Sequence, residues 1–180
     1  MKKVLLFFVL SLPLVAQGAW IDLSGKPLPD TESMRSDGTF GVQLVLTPDD
    51  KQFRQAWDST TSIPVLSGTN SVRLGSSVAA VLIFHGCSPN VAGVCDVVSE
   101  FFLEGPDGVK TSAGDGPVWS TAPLQGGRLQ LGRASLTVGF DANEPVGNYL
   151  VIANVNDKVS GRALSLVARF KVTKLCCSAG

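Results

Sequence analysis

Val78-Ala-Ala-Val-Leu-Ile-Phe84 runs without a polar interruption into His85-Gly86-Cys87, and a second run, Asp96-Val-Val-Ser-Glu-Phe-Phe-Leu-Glu104, follows directly on Cys95. A short apolar run bounded by turn residues is either a strand buried on both faces or a piece of buried helix. Length, β-branching and the flanking Gly75-Ser-Ser77 and Gly86 favour the strand, and the second run carries the same β-forming types. The pair therefore predicts a β-hairpin. Pro89, Asn90 and Gly93 lie between the cysteines and can supply its turn. A disulfide joining Cys87 to Cys95 would close a short loop and, on the chain-entropy argument, stabilise the fold by roughly 2 to 3 kcal/mol.

The same residues offer a rival chemistry, since His85 with Cys87 and Cys95 could form a soft-metal or redox site. Structural zinc takes four ligands, usually in tight pairs such as C-x₂₋₄-C. Two cysteines eight positions apart and one imidazole do not make that set. The expectation is no metal, with His85 half-buried at a strand end and bonded to a backbone carbonyl. Cys176 and Cys177 raise the redox alternative again, but neither a Cys-x-x-Cys spacing nor a helix start is present to lower a thiol pKa.

Outward from this centre, residues 1–18 read as a signal peptide. Lys2 and Lys3 form the basic end, Val4 to Val15 the apolar core, and Ala16-Gln-Gly18 a small-x-small cleavage pattern, with Ala19 an equally reasonable last residue. The apolar stretch is shorter than the about 20 residues a spanning helix needs. Export agrees with the cysteines, because disulfides persist in oxidising compartments. Lys+Arg and Asp+Glu number 15 each, so the formal net charge is zero. A nucleic-acid binder would show a basic excess or stripe, and here the basic residues from Lys26 to Lys174 are scattered singly.

Residues 19–38, rich in Pro, Ser and Asp, are expected to be an extended leader that Trp20 and Ile21 staple down. Residues 39–173 hold the domain, and 174–180 a flexible C-terminal tail. Phe40, Val42, Leu44 and Leu46 share one face of a strand by period-two alternation. Thr47-Pro48-Asp49-Asp50 then offers an N-cap, a proline at the first helical position and acids in the first turn, predicting a short helix at about 48–57. Phe53 and Trp57 fall at helical spacing, as a lid over the core or as a ligand platform. Ser62 to Leu66 and Asn70 to Leu74 suggest a small hairpin with Pro64 on an edge strand.

Gly105-Pro-Asp-Gly108 is a tight turn. Val109 to Gly127 reads as a long loop around Trp119 with one short strand near Val118 to Ser120. Leu129 and Leu131 share one alternation and Ala134, Leu136, Val138 and Phe140 another, which places a bulge between them. Asn148 to Val155 is apolar on both faces, as in a central strand, while Ala163 to Val172 keeps one face polar. The whole predicts an all-β chain, an immunoglobulin-like antiparallel β-sandwich of about 7–9 strands with one short helix.

Glu144-Pro-Val-Gly-Asn-Tyr149, leading into a buried strand and a final amphipathic one, resembles the closing hairpin of immunoglobulin-like sandwiches. In those domains the Tyr hydroxyl bonds back to nearby backbone. Taken in order, Gly25 to Thr31, Phe40 to Thr47, Ala56-Trp57, Phe84-His-Gly-Cys87, Gly105 to Gly108 and the Pro-Val-Gly-Asn-Tyr turn resemble a group of uncharacterised exported bacterial proteins. That resemblance implies export and one small domain, and it carries over no catalytic or binding residue.

Catalytic residues are not expected. Ser-His-Asp chemistry would have to use His85, and no Gly-x-Ser-x-Gly elbow presents a nucleophile. Asp141-Ala-Asn-Glu144 falls far short of a calcium loop and reads as a solvated turn. The expectation is a non-enzymatic module, without cofactor, that binds a protein or glycan partner in the periplasm or outside a bacterial cell. Its contact surface would draw on Trp119, Phe53 and Trp57, since scaffolded loops commonly carry function.

Overall fold

The computed structural model describes residues 20–22, 24–59, 67–124 and 128–174. Among them lie β1 (Met34–Asp37), β2 (Phe40–Thr47), α1 (Asp50–Ser59), β3 (Ser71–Arg73), β4 (Ser77–His85), β5 (Val97–Glu104), β6 (Lys110–Trp119), β7 (Gln130–Gly139), β8 (Gly147–Asp157) and β9 (Arg162–Thr173). One sheet has the order β1-β2-β4-β7 and the other β3-β9-β8-β5-β6. All pairings are antiparallel except the short β3, which runs parallel to β9. Two layers in this order are an immunoglobulin-like β-sandwich.

The run Val78 to Phe84 is apolar throughout because both of its faces are covered. Val78, Ala80, Leu82 and Phe84 point into the core between the sheets, against Phe40, Val42, Leu44 and Leu46 of β2 and the inward residues of β5, β8 and β9. Val81 and Ile83 point the other way and pack beneath Phe53 of α1 and Trp20. Each such side chain taken out of water contributes about 1.5–3 kcal/mol. The helix thus belongs to the sandwich as a third layer over one sheet.

The expected hairpin between the two central runs does not form. β4 pairs with β2 and β7, β5 with β6 and β8, and the segment between them crosses from one sheet to the other. A strand buried on both faces and flanked on both edges has no free edge for the next strand, so the chain leaves the layer. The Cys87–Cys95 disulfide is present, with Cα atoms 6.0 Å apart, and closes this crossing instead of a turn. The hairpin that β5 does make is with β6, through the Gly105–Gly108 turn, whose Gly108 N–H donates to the Gly105 carbonyl at 3.0 Å.

β6 is the element the sequence hid. Residues 110–119 form one strand rather than a loop, and the two register shifts against β5 accommodate its glycines and Pro117. As an edge strand it is exposed along most of its length, so no apolar alternation marks it. Three further expectations also shift. The helix begins at Asp50 and is capped by Asp49, whose Oδ1 accepts from Gln52 N–H at 2.9 Å, because Thr47 is still in the ladder opposite Ala79. The leader contains β1 and is held by buried Trp20, while Ile21 is exposed. Asn70 to Leu74 supplies β3 on the edge of β9; its expected partner around Pro64 lies outside the described residues, as do the signal peptide and Cys176-Cys177.

The predicted bulge in β7 is present. Val81 is opposite Ser135 and Ile83 opposite Leu131, so β7 carries extra chain at 132–134. It moves the strand's apolar side from the helix layer, where Leu131 packs, to the core between the sheets, where Leu136 packs. Gly132 is required there, since a Cβ would come 2.8 Å from Val118 Cγ1 and 3.1 Å from the Leu82 carbonyl oxygen. At the other end, Tyr149 Oη donates to the Pro145 carbonyl at 2.8 Å, as the turn motif implied, and its ring stacks on Phe170.

The margin between β2 and β9 is joined by two short crossings. The Ser33 carbonyl accepts from Leu44 N–H and the neighbouring Glu32 carbonyl from Val167 N–H, both at 2.7 Å. Thr69 N–H donates to the Leu46 carbonyl and the Asn70 carbonyl accepts from Lys171 N–H, both at 2.9 Å. Glu32 also holds Arg169 by a two-pronged ion pair at 2.9 and 3.0 Å, which lowers the pKa of the Glu32 carboxyl.

Candidate functional site

The bulge at 132–134 turns backbone carbonyls toward the helix, and Arg54 satisfies them. Its Nη1 donates to the Gly132 carbonyl at 2.9 Å and its Nη2 to the Arg133 carbonyl at 3.4 Å. Its Nε is bonded to both oxygens of Asp50, one helical turn earlier, at 3.0 and 3.1 Å. Ser135 Oγ donates to the same carboxylate at 3.3 Å. This network fixes α1 against β7, and Phe53 plugs the helix into the layer below. Trp57, four positions after Phe53, is thereby set beside the start of β7 at the rim of the sandwich.

Trp119, the last residue of β6, lies on the same cleft. Trp57, Trp119, Arg54, Asp58, Leu124, Gln130 and Leu131 line a cleft of about 270 Å³. Trp119 Nε1 donates to the Ala122 carbonyl at 3.2 Å, and its ring meets Phe84 edge-on with centroids 5.6 Å apart. The indole is thus fixed on one side by the core and turned to the cleft on the other. Gln130, opposite Phe84 in the ladder, is 2% exposed, and its Oε1 has no hydrogen-bond partner. Buried polar groups are normally paired, so this oxygen stands out.

Of the three residues expected at a contact surface, the structure brings Trp57 and Trp119 together and removes Phe53. Phe53 is 3% exposed because the apolar side of α1 needs it as the lid over Val81 and Ile83. Gln130 and Arg54 escaped the sequence reading. A glutamine preceding Leu131 looks like the solvent side of an amphipathic strand, but Leu131 faces the helix and Gln130 shares the face of Phe84, which the other sheet covers.

The proposed metal set is not assembled. Cys87 and Cys95 are bonded to each other, and no three His, Cys, Asp or Glu side chains are grouped to hold a metal among the described residues. His85 is half-buried at the end of β4, as expected, but its surroundings are aromatic. Its ring meets Trp20 edge-on at 4.8 Å, its Nε2 has no partner, and burial pulls its pKa below the usual value.

A second buried polar group was not foreseen. Asp157 is fully buried at the end of β8. Its Oδ2 accepts from Ser88 N–H at 2.9 Å and from Ser160 Oγ at 2.7 Å, and its Oδ1 from Val159 N–H at 3.2 Å. One side chain therefore ties the β8–β9 turn to the disulfide-closed crossing.

A larger cleft of about 560 Å³ opens between β2 and β9, walled by Gln43 to Leu46, Val167 to Arg169 and the two crossings described above. Among the described residues it has no aromatic wall, and its charged side chains, Glu32 and Arg169, are paired with each other.

No protein-family model matches the chain. No curated protein matches it in sequence. Among solved structures, a family 123 glycoside hydrolase from Clostridium perfringens is similar over 74% of this chain at 12% identity with a TM-score of 0.42, and this chain spans only 27% of that one. A CARDB domain from Pyrococcus furiosus is similar over 82% of this chain and 99% of its own at 10% identity, with a TM-score of 0.42. A Niemann-Pick type C2 protein from the Japanese carpenter ant is similar over 74% of this chain and 89% of its own at 10% identity, with a TM-score of 0.38. Similarity of this degree says nothing of what this chain binds.

Proposed function

We propose that the protein is an extracytoplasmic, non-enzymatic immunoglobulin-like module that binds a protein or glycan partner in the bacterial cell envelope, in the periplasm or outside the cell. The observation that carries this reading is the cleft in which Trp57 and Trp119 stand on separate elements over a buried amide. Rigid aromatic side chains at a rim, each braced by a core residue, supply contact area at low entropic cost. The Cys87–Cys95 disulfide supports an oxidising compartment. A binding role is favoured over catalysis because the chain's one imidazole, His85, lies against Trp20 rather than in a cleft with a nucleophile.

The test is cross-linking of the purified protein to envelope components, run beside the same protein carrying Trp57→Ala. The expected result is one saturable partner that the variant loses, together with fractionation of the native protein outside the cytoplasm. Equal cross-linking by both proteins, or turnover of a substrate by the purified chain, would remove the reading.

A further inference from the structure

We infer that two copies of this chain associate face to face through the outer side of the five-stranded sheet, about a twofold axis that runs along β8. The residues involved are not those of the Trp57–Trp119 cleft, so the inference stands apart from the binding role proposed above. An antiparallel sheet with one face in water normally carries polar residues on that face. Here the positions that alternate with the core residues of β5, β8 and β9 include Phe102, Leu150, Ile152 and Val167, all partly exposed. Phe102, Ile152 and Val167 are cross-strand neighbours and form one apolar row. The other sheet has its outer face covered by α1 and Trp20, whereas among the described residues no helix or further strand packs over this row.

Charge selects the occupant. Read across the strands by register, the adjoining row runs Lys110 on β6, Glu104 on β5, Leu150 on β8 and Arg169 on β9. Glu32 follows at the free edge of β9, with its carbonyl on Val167 N–H and its carboxylate on the Arg169 guanidinium. Lys110 belongs to this face, since its Nζ lies 4.1 Å from the Phe102 ring centroid. The row therefore reads plus, minus, neutral, plus, minus. Half a turn about β8 reverses the order, so Lys110 of one copy stands over Glu32 of the other, Glu104 over Arg169 and Leu150 over Leu150. The same rotation sets Ile152 on Ile152 and Phe102 on Val167. A twofold axis across the strands would instead set β5 on β5, acid on acid. A closed dimer requires such a self-complementary patch, and sheets stacked about 10 Å apart let opposed side chains meet. Arg169 spends Nε and Nη2 on Glu32, which leaves Nη1 for a second carboxylate.

Five strands about 4.8 Å apart and the rows from Val98 to Glu104 span roughly 24 by 20 Å, so about 1,000 Å² would be buried in all, the lower end of specific interfaces. Sedimentation velocity from about 1 to 300 μM tests the inference, with Cys176→Ser and Cys177→Ser present so that no intermolecular disulfide imitates association. A monomer–dimer equilibrium with a dissociation constant of about 1–100 μM is expected. Ile152→Lys puts two ammonium groups together on the axis and is expected to abolish it. Glu104→Lys and Arg169→Glu each oppose like charges at both contacts and are each expected to weaken it about tenfold or more. Mixed in equal amounts, these two are expected to regain the parental affinity, because the introduced charges then oppose each other at one contact and the native pair survives at the other. All three side chains are at the surface, so thermal midpoints should stay within a few degrees of the parent's.

A chain that stays monomeric at every concentration overturns the inference. So does a dimer that Ile152→Lys leaves intact, or a mixture of the two charge variants that associates no better than either alone.

Discussion

Asp157→Ala removes a carboxyl group whose three donors differ in what they can do without it. Val159 and Ser160 are exposed, so water can replace the lost partner at Val159 N–H and Ser160 Oγ, and each loss costs about 0.5–1 kcal/mol. Ser88 N–H is part-buried beside the disulfide, and leaving it unpaired costs about 1–3 kcal/mol. The sum is about 3 kcal/mol, which for a domain of this size lowers the melting temperature by roughly 6–12 °C. Asp157→Asn keeps one acceptor oxygen and turns an N–H₂ toward a donor, so it should lose about half as much.

The diagnostic measurement is a double-mutant cycle with Cys87→Ser/Cys95→Ser, read by urea unfolding. Opening the disulfide alone should cost about 2.5 kcal/mol on the loop-entropy argument. The Ser88 bond and the disulfide order the same crossing. Losing both should therefore cost less than the sum, by about 0.5–1 kcal/mol or more. Strict additivity, or an Asp157→Ala protein within about 0.5 kcal/mol of the parent, would refute the view that this side chain ties the turn to the crossing.

Tyr149→Phe deletes only the hydroxyl bonded to the Pro145 carbonyl and should cost about 1 kcal/mol in urea unfolding, with the m-value unchanged. Gly132→Ala drives a methyl group into Val118 and the Leu82 carbonyl and should destabilise by about 1–3 kcal/mol, visible as a lower thermal midpoint. For His85 the sign follows from burial. Its folded pKa lies below the unfolded value of about 6.5, so on acidification the unfolded chain takes up the proton first. Stability is unaffected above that pH and falls below it, and His85→Gln should flatten the acid side of a thermal midpoint against pH profile, below about pH 6.5.

Side-chain patterning revealed the strands that are covered and missed those that are not. Val78 to Phe84 announced a doubly buried strand because α1 and the opposite sheet both needed apolar contacts. The alternation of Ala163 to Val172 and the phase change after Leu131 were legible for the same reason. β6 was silent, since an edge strand is held by backbone bonds to β5 that any sequence can make. Sheet assignment was equally hidden. A strand, a turn and a strand look alike whether the second pairs with the first or crosses to the other layer, and the close cysteines fitted both. In the cleft, Trp57 and Trp119 were readable as aromatic residues near turns. Gln130 was not, because its burial comes from the opposite sheet, which covers the face it shares with Phe84.

The two carbonyls of Glu32 and Ser33 reach opposite sheets from adjacent residues, at the side where β2 and β9 do not pair with each other. The segment just before β1 thus laces one flank of the sandwich. A protease cutting just upstream of Met34 would separate this lace, and Trp20 with it, from β1 and free the layers to splay there, as a binding comes loose when its first stitch is pulled. Amide exchange at Leu44 and Val167 would report that loosening before any change at the far side, where the crossing is held covalently.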